Sequence, residues 1–528
     1  MRTLWTDSAP ASPHPRLEGE LRADVAVVGA GIAGLTTAWL LQRAGARVAV
    51  IEAAPQVACG ESAHTTAHLT AVQDARFHEI ARTFGAEGAR RVAMCGMDAI
   101  RFVEETSRAL GIDCDLARVP GWLFTETRRD LRELEREARA ADEAGLRVRL
   151  EEEAPLPFPT AGALRFDGQA TFHPLKWLRG LARAIVAGGG QIFTHSRVHE
   201  VEDGKPCVVR TDRGAVHARD VILATDAPIH DRVAIHAKIS PYRTYVVTAP
   251  IAQPLPGIFW DTADPYHYLR SWERGDGPVL LVGGEDHRVG AVLDTESRYE
   301  RLVGWTEARM GVRVDRCWSG QVNEPADGLP FIGRNPFSLH LYVATGFSGA
   351  GMVNGTIAGM ILAEELQERT HPLARMLAAR RVKPLAQAKE AIVHNAGTAR
   401  WLIGDRVAPR EEVRSLDEVP PGEGRIVRLG HERLAVHRRE DGTFQAVSPV
   451  CTHLRCYVHW NAGDRSWDCP CHGSRFDTDG TVLHGPAVEA LAPREIPEEH
   501  LPRERPAPVR PPAHAPATPP AVEGEHPV

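Results

Sequence analysis

Residues 24–52 read DVAVVGAGIAGLTTAWLLQRAGARVAVIE, and they decide the fold of most of the chain. Residues 24–28 are a short apolar run suited to a buried strand, and they lead into a turn that places Gly29, Gly31 and Gly34 at GxGxxG spacing. The first glycine allows the tight bend, the second lets the backbone approach a pyrophosphate, and the third lets the helix lie close on the strand. An apolar helix over 35–44 follows, then a second strand over 47–51 that ends in Glu52. An acid at that point can accept hydrogen bonds from the ribose hydroxyls of an adenine nucleotide. Glycine spacing alone is equally compatible with a turn that holds no ligand. The helix, the second strand and the acid behind it favour a dinucleotide site.

Further along, residues 172–204 read FHPLKWLRGLARAIVAGGGQIFTHSRVHEVEDG and residues 211–228 TDRGAVHARDVILATDAP. They predict a helix and then strands over 191–194, 198–201, 207–211 and 220–224. Residues 318–333, WSGQVNEPADGLPFIG, precede LYVATGFSGAGMVNGTIAGMILAEEL at 341–366. Over residues 22–370 these segments resemble the D-amino-acid oxidase and glycine oxidase (DAO) superfamily of flavoproteins. The resemblance implies an α/β Rossmann-type FAD-binding domain with an inserted mixed-sheet substrate domain, and FAD as its cofactor. It also implies that Gly346, Phe347, Gly349, Gly351 and Met352 close over the flavin, with a helix N-terminus near Gly351 aimed at it. The uncharged stretch 341–363 is long enough to cross a bilayer. Its five glycines and its Ser, Thr and Asn residues read better as strand, turn and helix.

The loop ESAHTTAHLTAV at 61–72 falls where the superfamily has a polar loop crossing the flavin, so Ser62, Thr65 and Thr66 are candidate hydroxyls for the pyrophosphate or ribityl groups. An ordinary solvated Ser/Thr turn is the alternative, and His64 and His68 read as packing residues. The resemblance places the roof of the flavin at 238–284. There Tyr242, Arg243, Tyr245, Tyr268 and Arg270 are candidates to grip a substrate carboxylate, arginine by a two-pronged bond and tyrosine by a directed hydroxyl. Strand tyrosines and arginines also serve as cross-strand packing. Cys317 reads as a buried structural thiol and not as a flavin-linked cysteine.

Near the C-terminus, SPVCTHLRCYVHW (448–460) and DCPCHGSRFDTDG (468–480) contribute two Cys/His pairs, Cys451 with His453 and Cys469 with His472. Two thiolates and two imidazoles could close a tetrahedral zinc site. They could also hold a 2Fe-2S cluster in which imidazoles replace two thiolates on one iron, which raises the reduction potential. Over residues 410–500 these strings resemble the Rieske proteins of cytochrome bc complexes, an all-β fold. That resemblance favours the cluster and implies that the extra cysteines, Cys456 and Cys471, form a disulfide clamping one loop to the other. Ser474 matches the serine that bonds a bridging sulfide. The family's tyrosine hydroxyl is missing, because Phe476 stands there, and the potential should sit below that of the full pattern.

The chain has 528 residues, enough for several cores, and a net charge of −7 that gives no general reason to bind nucleic acid or an anionic membrane. Nine scattered cysteines fit a reducing compartment, and no basic segment followed by an apolar core opens the chain, so the cytoplasm is expected. Composition divides the chain into the flavin domain (22–370), a helical connector (371–409), the Rieske domain (410–502) and a proline-rich disordered tail (503–528). The combination resembles bacterial FAD-dependent oxidoreductases with a C-terminal Rieske domain. It implies oxidation of a small amine or amino acid at FAD, with electrons passed through the cluster to an external one-electron acceptor. An NAD(P)H-driven ferredoxin reductase would need a second GxGxxG, and the central glycines 188–190 precede a strand where such a motif would follow one. A non-catalytic redox sensor is the third reading. A Rieske oxygenase would need a catalytic iron domain after the cluster.

Overall fold

The apolar run ahead of Gly29 forms the inner half of the strand Gly19–Val28, in which Val25, Ala26, Val27 and Val28 are all buried. In the computed structural model, which describes residues 2–230, 235–292, 294–383, 401 and 412–501, this strand sits inside a largely parallel sheet. Val48–Ile51 pairs with it on one side and Gly214–Leu223 on the other, both in parallel. Gln191–Phe193 and Leu341–Thr345 extend the sheet. Continuous burial on both faces is what a parallel sheet covered by helices requires. The helix after the turn runs Ile32–Arg43, three residues earlier than predicted, because the bend is complete at Gly31.

The uncharged stretch resolves into the strand Leu341–Thr345, a glycine turn and the helix Gly351–Leu366. Among the described residues no helix is long and apolar enough to cross a membrane. This helix packs on Ile32–Arg43 through two glycines. A Cβ on Gly355 would come within 2.4 Å of Ile32, and one on Gly359 within 2.5 Å of Thr36. Larger residues would wedge the helices apart.

A second, nine-stranded mixed sheet carries Ile239–Pro250, His267–Arg274, Gly277–Arg288 and Arg316–Pro325, and forms the roof inferred from the resemblance. The C-terminal domain is built of two small sheets. Within one, Gly424–Leu429, Glu432–Arg438 and Phe444–Val447 pair antiparallel; the other comprises His459–Asn461, Ser466–Asp468, Arg475–Phe476 and Val482–His484. Of the connector, residues 371–383 and 401 are described; they include the short helix Ala374–Leu377 and Trp401, whose ring meets His459 edge-on in the C-terminal core. The rest of the connector and the tail at 503–528 lie outside the described residues.

Candidate functional site: a nucleotide cavity and a Cys/His centre

A cavity of about 510 Å³ opens at the carboxyl ends of the parallel strands, where open α/β sheets bind their ligands. Gly29 adopts φ +102°, and a Cβ there would meet the Ala224 carbonyl at 2.4 Å. A Cβ on Gly34 would fall 2.0 Å from the Gly29 carbonyl, so only glycine lets the helix settle on the turn. Gly31 lines the cavity and faces Ser62, whose hydroxyl accepts from the Ile32 N–H at 3.1 Å. Glu52 accepts from the N–H groups of Ala30 and Ala54, each at 2.8 Å, and borders the cavity with spare acceptor capacity.

Ser62, Thr65 and Thr66 all line the cavity. Thr65 also accepts from the Ala67 N–H, and Thr66 bonds His68 Nδ1 at 2.9 Å. His68 Nε2 lies 3.2 Å from the Leu269 carbonyl, and burial pushes this imidazole down to about 3, which keeps it neutral. His64 is likewise pushed down by burial and bonds the Gly60 carbonyl. On the opposite wall stand Phe347, Gly349, Gly351 and Met352, with Gly346 at φ +75° making the turn behind them. The Gly349 N–H donates to Asp74. These glycine cradles, the helix N-terminus and Glu52 fit FAD.

The predicted substrate residues separate. Tyr268 lines the cavity, its hydroxyl 2.6 Å from Thr244 Oγ1. Arg243 does not line it: its buried guanidinium donates to Ser319 and to Asp464 of the C-terminal domain. Arg270 is spent on the backbone carbonyls of Thr66, Ala67 and Phe172, at 3.4, 2.7 and 3.1 Å. Tyr245 is buried against His287 Nε2 at 2.9 Å, and Tyr242 is also absent from the lining. Cys317 is exposed and not buried, because it lies at the uncovered start of the strand Arg316–Pro325, where burial begins only at Trp318.

What replaces the arginines is acidic. Asp74, Tyr266 and Asp286 join Tyr268, Thr244 and Arg76 in the lining. Burial pushes the Asp286 carboxyl up to about 7, and its Oδ1 has no protein partner. Burial also raises Asp74 and Tyr266. The sequence carried a faint sign of Asp286, the second of two acids that follow the apolar run PVLLVGG, but none for Asp74.

In the C-terminal domain, Cys451 and Cys469 are buried and the rings of His453 and His472 lie edge-to-face with centroids 5.2 Å apart. Each loop is closed by backbone bonds, Cys451 N–H to the Cys456 carbonyl and Cys469 N–H to the Ser474 carbonyl, both at 2.8 Å. Cys456 and Cys471 form a disulfide, with the Cys469 sulfur within 4.8 Å of both its sulfurs. A hydrogen bond with Cys469, opposed by burial and aided by the His453 N–H and the Ser474 hydroxyl, lowers the Cys451 thiol to about 7. Ser474 Oγ in turn accepts from the Ala487 N–H at 3.0 Å. Two convergent thiols and two imidazoles on clamped loops fit a 2Fe-2S cluster with mixed ligands.

The domains meet at these sites. His236 of the flavin domain packs against both His453 and His472, with ring centroids 5.0 and 5.3 Å apart. Gln321 Nε2 donates to the Gly473 carbonyl at 3.1 Å, and Thr295 Oγ1 to Asn461 Oδ1 at 2.7 Å.

Fold and site together define a flavin oxidoreductase joined to an iron–sulfur domain. The chain belongs to the FAD-dependent oxidoreductase (DAO) family, whose model matches residues 24–365, and residues 410–496 match the Rieske [2Fe-2S] domain. FAD and a 2Fe-2S cluster are therefore its cofactors. It is 32% identical over 496 residues to the Bacillus subtilis (strain 168) protein YhfW, described as a Rieske 2Fe-2S iron–sulfur protein, covering 93% of this chain and 96% of that one. It is 28% identical over 373 residues to the γ-glutamylputrescine oxidoreductase of Escherichia coli (strain K12), covering 67% of this chain and 86% of that one. Among solved structures, glycine oxidase from Geobacillus kaustophilus superposes with a TM-score of 0.59 at 20% identity, covering 69% of this chain and all of that one.

Proposed function

We propose that the protein oxidises a small amine or amino acid at FAD and passes the electrons through the Rieske cluster to an external one-electron acceptor. FAD supplies a two-electron acceptor for hydride and the cluster a one-electron carrier. The observation that carries the reading is the meeting of the two sites: His236 covers both cluster histidines, and the C-terminal domain helps line the nucleotide cavity. The remaining assignments concern this chain's own groups. An amine arrives protonated and must lose a proton before it can give up hydride. Asp286, with its carboxyl near 7 and one free oxygen, is the group suited to accept it. Tyr266 and Tyr268 stay protonated and orient the substrate by hydroxyl hydrogen bonds. Cys451, His453, Cys469 and His472 ligate the cluster, while Gly29, Gly31, Glu52 and Ser62 hold the nucleotide.

A fold neighbour named as a glycine oxidase and a relative named as a γ-glutamylputrescine oxidoreductase support this substrate class. The same reading puts the protein in the cytoplasm, with the Cys456–Cys471 bridge shielded from thiol exchange by the folded loops. Anaerobic titration with a panel of amines and amino acids, followed at the flavin absorbance, tests it. One class should bleach the flavin and then raise the cluster EPR signal. Bleaching by NADPH and by no amine would replace the proposal with the reductase reading.

A further inference from the structure

We propose that the Rieske domain is a structural part of the FAD site, so that FAD binding and docking of the domain form one linked equilibrium. The proposal rests on the assignment of the cavity to FAD and adds to it a wall that the flavin domain does not supply. Leu483, His484, Gly485, Ala487 and Val488 line the same cavity as Gly29, Gly31 and Glu52.

Three contacts hold this wall in place. Arg197, itself a lining residue, donates from its guanidinium to the Val482 carbonyl at 2.9 Å. His484 is clasped between two carboxylates, Nδ1 lying 3.4 Å from Glu61 and Nε2 3.2 Å from Asp226. Both acids come from segments that shape the nucleotide cradle. Glu61 precedes Ser62, which caps the Ile32 N–H, and Asp226 follows the strand Gly214–Leu223. The C-terminal segment therefore straddles the loops on which the cofactor lies.

A ligand that touches both domains binds the docked state more tightly than the undocked one, and the coupling is reciprocal. The wall also leads straight back to the cluster. His484 pairs with Arg475 across the hairpin Arg475–Phe476/Val482–His484, and Arg475 follows the Cys469–Ser474 loop by one residue. Order imposed on the cavity wall is thereby transmitted to one cluster loop.

The test uses full-length protein stripped of FAD with its cluster retained. Amide hydrogen exchange over 482–488 should slow by about tenfold or more when FAD is added, the equivalent of about 1.4 kcal/mol of coupling. Arg197→Met and His484→Ala should each raise the FAD Kd by about tenfold while the cluster EPR signal persists. Unchanged exchange over 482–488 on FAD binding, with wild-type Kd in both variants, would overturn the proposal. Should a variant lose its cluster, the wild-type exchange measurement decides alone. Wild-type protein that gains the FAD-dependent protection yet is reduced by no amine would support this linkage and remove only the substrate reading.

Discussion

Two single side chains bear on the proposed chemistry of the two centres. Phe476 is fully buried in the cluster core beside Cys451 and Cys469, opposite Trp467 in the hairpin, and it brings no hydroxyl to a ligand sulfur. A hydrogen bond to a charged group is worth about 1.5–3 kcal/mol. In a one-electron couple, where about 59 mV is a factor of ten, even half of that acting on the reduced form raises the potential by some tens of millivolts. Phe476→Tyr should raise the cluster potential in protein-film voltammetry, and Ser474→Ala, which removes the hydroxyl facing Cys451, should lower it. At the flavin end, Asp286 must be ionised to accept a proton. Its carboxyl lies near 7, so kcat/KM for an amine should rise as pH increases through about 7. Asp286→Asn should lower kcat/KM by on the order of a hundredfold and abolish that limb of the pH profile.

At the scale of elements, close approach is the recurrent device. Gly34→Ala would drive a methyl group into the Gly29 carbonyl, a backbone atom held in the turn, and force the first helix off its strand. Overpacking of this kind costs about 1–3 kcal/mol. The variant should also lose FAD on gel filtration while a cluster signal remains. The two ligand loops depend on each other in the same way. Each carries one disulfide cysteine next to its ligands, so Cys456→Ser should release iron faster than wild type while FAD stays bound. Iron content and flavin absorbance of the same sample check both halves of that expectation.

Across the whole molecule, the domains are joined by a buried ion network. Asp464 of the C-terminal domain meets Arg243 of the roof sheet and Arg475 of its own hairpin, and accepts from Ser319 and Tyr299. Burial pushes its carboxyl up, but the two guanidiniums outweigh burial and hold it far below the usual carboxylate range. A depressed carboxyl stabilises the fold at pH above its unfolded value, near 4, and that contribution is lost as pH falls toward the folded one. Asp464→Asn leaves Arg243 without its nearest counter-charge and should cost about 3–5 kcal/mol near neutrality. Urea midpoints of variant and wild type should converge as the pH is taken below about 4.

Local chemistry made the nucleotide turn and the cluster loops legible from sequence. Glycine spacing, a strand-end acid and paired Cys/His ligands act over a few residues, and the backbone constraints that make them work are carried within the motif itself. Gly29, Gly34, Glu52, Cys451 and Cys469 could therefore be read without the fold. The partners of long side chains could not. Arg243 and Arg270 looked like carboxylate clamps, because a strand arginine carries no mark of what lies across from it. Their actual partners, Asp464 and three backbone carbonyls, are 221 residues away for one and 98 to 204 for the other. Asp74 and Asp286 became cavity acids, and residues 483–488 a wall of the flavin site, only when sheets distant in the chain were stacked. Desolvation and ion pairing depend on everything within a few ångströms in space, and that neighbourhood is decided by the tertiary structure.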